Sequence, residues 1–387
     1  MRITKVQLRD LIANHVKQKN GLNDVMEMTL NAMMKHERTI HLDEADANKA
    51  NGYRPGRVYG HGKLLELRIP RDRNGEFYPK VLALLRSQQA ETDKLVSALY
   101  AQGLSQRQVG EVFERLYGRH YSSSQIGRMI EWMHRDVKTW LERPLETYYP
   151  IVFIDAIHVK VRRDTVQNEA FYVVLGVTGE RKREVLAISH QPVESATGWG
   201  IILEELRGRG LENIGLIVAD GLTGLEDAAG NVFPRSDFQR CVTHVKRRLL
   251  ARVRSEDKPR LAEDMRAVFR TDNPDDSPEA GWKRWQRFCD KWSGTYRRFS
   301  RLKDDRLYLA CFTYLKYDHR MRSMIYTTNW IERLHKDFRR VLFMRSSMPS
   351  EDSVITLLGS VAMEKKAYRR KVPKLNYEQK LFDCEET

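Results

Sequence analysis

The sequence has few of the features that mark disulfide-bonded, secreted or membrane-spanning proteins. Its four cysteines are Cys241, Cys289, Cys311 and Cys384. None of them stands in CxxC spacing, which argues against a disulfide framework and against a structural zinc cluster. No apolar run approaches the roughly 18 residues of a spanning helix, and the opening MRITKVQLRD lacks the apolar core of a secretion signal. We therefore expect a cytoplasmic protein.

Other absences bear on the partner. The sequence contains no P-loop, so no nucleotide cofactor is expected, and it has neither a lipidation signal nor an amphipathic membrane anchor. Negative charge is also scarce, because 67 Lys and Arg residues stand against 52 Asp and Glu residues, a formal net charge of +15. This excess favours a polyanionic partner, and nucleic acid is the first candidate.

The 387 residues are enough for roughly two to four folded units, of which residues 1–90 form the first. Apolar residues at helical spacing between positions 5 and 40 predict one or two amphipathic helices. These helices serve either as surface helices or for pairing with a second subunit. Residues 51–80 predict a small β unit, in which a strand ends at Pro70 and a turn follows at Asn74.

Residues 91–147 carry the pattern of three short helices. The first helix ends at Gly103, and Ser105 with Gln108 forms a capping box that opens the second. The third helix leaves Gln125 and Arg128 available as candidate base readers. This is the pattern of a helix-turn-helix, although short capped helices also occur in bundles that bind no DNA.

Residues 148–250 read as an α/β unit. Three β-rich runs, at 151–161, 171–178 and 184–191, predict an antiparallel meander. After a helix at 196–207, the apolar run at 214–220 predicts a fourth strand in the middle of a sheet. The segment FQRCVTHVKRRLL then predicts a fifth strand that leads into a helix.

Strand patterns are absent from residues 251–322, where charged helical sequence predicts an all-helical insertion. Trp285, Phe288 and Trp292 share one helix face in this region. They form either the core of the insertion or, for one of them, a stacking platform for an unpaired base. Residues 323–387 then predict the second part of the α/β unit, with one helix around position 332 and another near the carboxyl end.

Two acidic residues stand directly after apolar strand segments. Asp155 follows IVFI, and Asp220 follows IGLIVA. If those strands are neighbours, the two carboxylates lie close together on rigid backbone and repel each other unless a cation neutralises them. Oxygen ligands suit Mg²⁺ or Mn²⁺ better than zinc, and two such ions, roughly 3.5 to 4 Å apart, suit phosphodiester chemistry. Each aspartate taken alone is better explained as a strand-end acid that accepts hydrogen bonds from loop amides.

A third acid, Glu332, stands near the start of a predicted helix. Asn329 as the N-cap residue would place Glu332 at the third helical position, where the two would form a reciprocal cap without any metal. Alternatively, Glu332 completes the ligand shell of the two aspartates. The basic residues that surround it on the same helix suit phosphate groups better than a buried core.

The chain resembles the mutator-type bacterial insertion-sequence transposases. The matching blocks, in order, are FIDAIHVKVR, VLGVTGERKREVLAI, VADGLTGL, VFP, QRCVTHVKR and TTNWIERLHKDFRR. The resemblance extends from about position 51 to about position 365. It implies an RNase H-like catalytic core, a mixed five-stranded sheet with flanking helices, interrupted by an all-helical insertion and preceded by helical and helix-turn-helix DNA-binding units.

The resemblance also implies a DDE triad of Asp155, Asp220 and Glu332, which would hold Mg²⁺ or Mn²⁺ as a pair of ions. The family's C-x-x-H motif falls on Cys241 and His244. This pair is either a buried structural pair or places His244 against the scissile phosphate or a metal ligand. The chain departs from the family at Leu222, His335 and Arg248, none of which belongs to the triad.

The activity that follows is binding to terminal inverted repeats, hydrolysis at the element ends, and transfer of the 3′ hydroxyl to target DNA. The residues expected to contact DNA are Gln125, Arg128, Lys246, Arg247, Arg248, Arg333, Lys336, Arg339 and Arg340. Joining two ends calls for at least a homodimer, and the bacterial nucleoid is the expected location. A metal-dependent nuclease or resolvase without strand transfer, and a DNA-binding regulator with structural carboxylates, are the alternative functions.

Overall fold

The computed structural model describes residues 21–44, 48–60, 63–117, 121–190, 196–221 and 224–364. The helix predicted before residue 21 lies outside these ranges. The chain separates into two compact units, residues 1–132 and residues 133–387.

Among its described residues, the first unit contains a β-hairpin, three complete helices and the start of a fourth. Its elements are α1 (Gly21–Glu44), β1 (Ala50–Gly60), β2 (Lys63–Asp72), α2 (Lys80–Ala101) and α3 (Gln106–Tyr117); α4 (Ser123–Leu141) contains the boundary between the units. Buried residues from α1, both strands and α2 form its core: Met34, Val58, Leu65, Leu67, Ile69 and Leu82. The burial of these side chains holds α1 and α2 against the hairpin.

The predicted end of the strand at Pro70 is wrong. β2 continues through Pro70, which pairs with Tyr53, to Asp72. In a two-stranded ribbon each strand has an unpaired edge, so a proline without an N–H group is accommodated there. The predicted turn follows at Gly75, whose φ of +74° is readily adopted only without a side chain.

The predicted capping box at the start of α3 is confirmed. The Ser105 backbone N–H donates to Gln108 Oε1 at 2.9 Å, and the Gln108 N–H donates to Ser105 Oγ at 3.3 Å. The same motif opens α4, where the Ser122 N–H donates to Gln125 Oε1 at 2.8 Å. Gln125, predicted as a base reader, therefore uses its side-chain oxygen to cap its own helix.

The second unit contains a five-stranded mixed sheet, as the sequence predicts. Its strands are β3 (Tyr148–Arg162), β4 (Val166–Val177), β5 (Arg183–His190), β6 (Asn213–Ala219) and β7 (Asp237–Arg240), in the order β5-β4-β3-β6-β7. β3, β4 and β5 form the predicted antiparallel meander. β6 pairs with β3, and β7 with β6, in parallel.

Helices cover the sheet and determine which strand positions are buried. Val152 and Ile154 of β3 pack in one core with Trp199 and Leu203 of α5 (Ala196–Gly208) and with α6 (Leu225–Val232). Because side chains alternate along a strand, Asp155 points to the opposite face. That face packs against α12 (Asn329–Phe343), and α13 (Glu351–Glu364) packs against β5.

Residues 251–322, all of which the structure describes, contain helices and no strand. The region follows α7 (Val242–Leu250) and contains α8 (Lys258–Val268), α9 (Pro278–Ser293), α10 (Arg298–Leu302) and α11 (His319–Ile325). Trp285, Phe288 and Trp292 are buried in its core, so the packing role predicted for these aromatics is confirmed. The buried side chain of Gln239 in β7 bonds to Cys311 and Tyr314, which ties the helical region to the sheet.

None of the helices in the described ranges is long and apolar enough to cross a membrane.

Candidate active site

Two aspartates lie side by side where the pairing of two parallel strands ends: Asp155 lies within β3, and Asp220 directly follows β6. Ile154 of β3 is in register with Ala219 of β6, and Asp155 and Asp220 are the next residues on each strand. Neighbouring strands are about 4.8 Å apart, so the sheet itself brings these two backbone positions together. Asp155 accepts a local hydrogen bond from the Ala156 N–H at 3.0 Å, and Asp220 accepts one from the Gly221 N–H at 2.6 Å as well as one from Arg248 Nη2 at 3.2 Å.

Glu332 does not take part in a helix cap. The N-cap residue of α12 is Thr328, without a side-chain cap hydrogen bond, so the predicted cap between Asn329 and Glu332 is wrong. Asn329 is instead the first helical residue, with an exposed side chain. The Glu332 carboxylate extends towards His244, with 3.9 Å between Oε1 and Nε2.

Cys241 fixes the start of the glutamate helix against the sheet. Its N–H donates to the Ala219 carbonyl at 2.7 Å, which continues the parallel pairing of β7 with β6. Its sulfur lies 3.3 Å from Thr328 Oγ1, and the next N–H, that of Val242, donates to the Tyr326 carbonyl at 3.0 Å. Cys241, the residue after β7, therefore anchors the segment that carries Glu332 to the strand that precedes Asp220. Cys289 and Cys311 are likewise free and buried.

His244 stands between two of the three acids. Its Nδ1 lies 3.7 Å from Asp220 Oδ1, on the opposite side of the ring from Glu332. The interaction with the Cys241 thiol and the nearby aspartates raise the pKa of His244 to about 9, against the opposing effect of burial. Burial raises the pKa of the Cys241 thiol, but the contacts with His244 and Thr328 outweigh it and lower that pKa below its usual value.

His335, one turn after Glu332 on α12, approaches the remaining acid. Its Nδ1 lies 3.4 Å from Asp155 Oδ2, and the side chain is fully buried. Neither ring nitrogen makes a hydrogen bond to the described residues. This departure from the family pattern therefore lies within the site, in contact with Asp155.

Two guanidinium groups crowd the loop after Asp220. Arg248 Nη2 lies 3.2 Å from Asp220 Oδ1. A Cβ atom on Gly221 would lie 3.1 Å from Arg248 Nη1 and 3.3 Å from Arg240 Nη1. Sequence reasoning missed Arg240, although its place at the end of β7, next to the end of β6, was a signal that could have identified it.

The donors suit a pair of hard divalent ions. No choice of one oxygen from each of Asp155, Asp220 and Glu332 places all three within 4.8 Å of one another. Two ions roughly 3.5 to 4 Å apart, each about 2.1 Å from its oxygens, would separate the outermost carboxylates by up to about 8 Å. Asp155 and Asp220 on neighbouring strands and Glu332 on the facing helix would supply the carboxylate oxygens that such ions prefer.

One tighter cluster of metal-ligating side chains occurs elsewhere in the described part of the chain, formed by His41, Asp72 and Glu76. There, Asp72 Oδ2 accepts hydrogen bonds from Asn48 Nδ2 at 2.8 Å and from the Glu76 N–H at 3.1 Å. These bonds lower the pKa of Asp72 to about 2. The Asp72 carboxylate thus holds the turn after β2 without an ion.

The residues predicted to contact DNA are unevenly placed. Arg247 and Arg248 on α7 have exposed side chains, as do Arg333, Lys336, Arg339 and Arg340 on α12. Lys246 is different, because burial and Arg266 lower its pKa and its ammonium lies 5.6 Å from the centre of the Phe269 ring. Arg128 is exposed in the first unit.

Comparison with known proteins gives a family for the whole chain. The family model described as transposase, Mutator family, matches residues 2–370. The transposase for insertion sequence element ISRM3 from Rhizobium meliloti (strain 1021) is 32% identical over 369 residues, which cover 92% of this chain and 91% of that protein. The transposase for IS256 in transposon Tn4001 of Staphylococcus aureus is 27% identical over 369 residues, covering 92% and 93%. The transposase for IS905 from Lactococcus lactis subsp. lactis (strain IL1403) is 28% identical over 334 residues, covering 86% and 84%. This chain belongs to the Mutator family of transposases.

Proposed function

We propose that this transposase cuts DNA at the ends of an insertion sequence and joins the freed 3′ hydroxyl to target DNA. Asp155, Asp220 and Glu332 are its catalytic acids, in an RNase H-like core. The observation that carries the proposal is the parallel register of Ile154 with Ala219, because it places Asp155 and Asp220, the residues that follow this pair, side by side on rigid backbone. Glu332 faces the same imidazole as Asp220, which supports its place as the third acid.

The acids would hold Mg²⁺ or Mn²⁺, and the ions, when bound, would supply positive charge at the oxygens of the reacting phosphodiester. The chain itself supplies the surroundings. Arg240 and Arg248 lie over Gly221, where guanidinium groups can hold the phosphates on either side of the reacting one. Cys241 holds the glutamate helix in place, and His244 links Asp220 and Glu332.

DNA recognition is assigned to the first unit. Helices α3 and α4, each opened by a capping box, form the proposed helix-turn-helix for the terminal repeats, with exposed Arg128 as a base-reading candidate. The exposed face of the hairpin carries Arg54, Arg57 and Arg68, which suit the DNA backbone. Because two element ends must be joined, a homodimer is the proposed active form.

The test uses three variants that remove one charge with little change in size: Asp155→Asn, Asp220→Asn and Glu332→Gln. Each is incubated with labelled DNA from the ends of the element and Mg²⁺, and cleaved and joined products are separated on a denaturing gel. We expect cleavage and joining to fall by at least a thousandfold while end binding, measured by gel shift, persists. Asp164→Asn, the same substitution at an exposed site beyond β3, is the matched control and should remain active.

The same assay decides between the proposal and its alternatives. Cleavage without joining of a precut end would identify a nuclease or resolvase. If Asp155→Asn keeps full cleavage activity, the carboxylates are structural and the proposed mechanism fails.

A further inference from the structure

The most exposed large hydrophobic side chain in the described part of the chain lies on the helix that carries Glu332. Phe343, the last residue of α12, is 90% exposed. Covering an exposed phenyl ring gains about 2 kcal/mol, so this position would strengthen the binding of any partner that lies against it. The side chains of α12 that pack into the unit are Ile331, Leu334, His335, Phe338 and Val341, on the other side of the helix.

Helix geometry places Phe343 on the same face as the candidate catalytic acid. At about 100° per residue, Glu332, Lys336, Arg339 and Phe343 fall within roughly 60° of one another. They form a line along the exposed side of α12, here called the acid-to-aromatic stripe. Lys336 and Arg339 are exposed between its two ends. At about 1.5 Å per residue, the stripe is about 16 Å long, which matches about five stacked nucleotides.

The charge of the stripe selects the partner. Two cations followed by an exposed aromatic ring repeat the combination by which proteins hold unpaired nucleic acid, with phosphates on the cations and a base on the ring. Arg340 and Arg333 flank the stripe and add further positive charge. A second copy of the same chain that paired through this face would bring its own basic α12 against these charges and be repelled. A polyanion is therefore the favoured occupant.

We propose that Phe343 stacks on a DNA base about five nucleotides from the reacting phosphate at the candidate acids, and that the DNA strand follows the acid-to-aromatic stripe. This inference rests on the proposed function of Glu332. It makes Phe343 a positioning residue, which holds an unpaired strand in line with the carboxylates.

The test compares two DNA probes without added divalent metal, so that no strand is cut. One is a 20-base-pair duplex with five unpaired nucleotides at one end, and the other has abasic sites in place of those five bases. We expect wild-type protein to bind the first probe about 5- to 100-fold more tightly. Phe343→Leu, which stays apolar but cannot stack, should lose this preference, whereas Phe343→Tyr should keep it.

The matched control is Met344→Ala. Met344 is also exposed, next to Phe343 but about 100° around the helix, and its removal should leave the preference unchanged. Because Phe343 makes little contact with the unit, we expect Phe343→Leu to melt at the same temperature as wild type. With 5-iodouracil in the unpaired positions, ultraviolet light should crosslink the DNA to the peptide that contains Phe343.

Two outcomes overturn the inference. If Phe343→Leu retains the base preference, the ring does not stack on a base. If Phe343→Leu instead turns a dimer into a monomer in sedimentation velocity, with DNA affinity unchanged, the stripe is a protein contact. Glu332→Gln separates this test from that of the proposed function, because it should lose cleavage yet keep the base preference. Cleavage by Glu332→Gln would refute the catalytic role of the acid, whatever the result with Phe343→Leu.

Discussion

Replacing Arg248 by glutamine should make the site bind divalent metal more tightly. The Arg248 guanidinium lies 3.2 Å from Asp220 Oδ1 and therefore occupies a carboxylate oxygen that a metal ion would need. An ion must break this pair before it binds, and it must also bind next to a positive charge. Both effects oppose metal binding, and both disappear in Arg248→Gln.

The size of the effect follows from exposure and distance. The Arg248 side chain is half exposed, so solvent screening keeps the ion pair at about 1 kcal/mol or less. Repulsion between a divalent ion and a single positive charge about 5 Å away adds about 1 kcal/mol in a water-like dielectric, after allowance for salt. The sum of about 1 to 2 kcal/mol corresponds to about 5- to 30-fold tighter binding.

The assay is a titration of metal-free protein with Mn²⁺, in which free Mn²⁺ is measured by electron paramagnetic resonance and no DNA is present. Arg247→Gln is the matched control, because it removes the same charge from the next, exposed position of α7. Asp220→Asn should weaken binding and identify the site. Equal Mn²⁺ affinity of Arg248→Gln and Arg247→Gln, within twofold, would show that the ion pair does not compete with metal and would refute the reasoning.

Two further predictions concern the helical region. Asp276 is buried between Arg270 and Arg284, whose nitrogens lie 3.0 and 2.7 Å from its carboxylate oxygens. Burial raises the pKa of Asp276, but the two guanidinium groups outweigh burial and lower the pKa below its usual value of 3.8. Because this pKa is lowered in the folded state, the ionised carboxylate contributes stability above about pH 4, and this contribution is lost as the pH falls below that value. Asp276→Asn should therefore reduce the free energy of unfolding in urea by about 3 kcal/mol at pH 7, and its stability should depend less on acid than that of wild type. If Asp276→Asn is less stable than wild type by the same amount at pH 7 and at pH 3, this reasoning is wrong. Trp285→Ala should reduce the free energy of unfolding by about 4 kcal/mol in the same assay, because it leaves a cavity in the core. A Trp285→Ala protein that keeps wild-type stability but binds single-stranded DNA poorly would support base stacking by Trp285 instead.

Sequence patterns were sufficient for the sheet and for its two aspartates. Asp155 and Asp220 could be predicted to lie close together because each follows an apolar run, and runs of that kind predict central strands that pair with each other. The capping box of Ser105 and Gln108 was equally readable, since its hydrogen bonds are local. The continuation of β2 through Pro70 could not be predicted, because the rule against proline in strands does not hold at the open edges of a two-stranded ribbon.

The remaining parts of the site depend on contacts between residues distant in the chain, and these leave no periodic pattern. The sequence predicted Asn329 as the N-cap residue, but Thr328, which is also a good capping residue, holds that position. The contact of Thr328 with Cys241, 87 residues earlier, accompanies this start of α12. Shifting the helix start by one residue moves the Glu332 side chain about 100° around the axis relative to its cap. A carboxylate that would otherwise fold back onto its own amides thereby extends towards His244. The orientation of the Glu332 side chain thus depends on how the sheet holds the residue that precedes its helix, so a change at Cys241 should shift the Glu332 carboxylate without touching it.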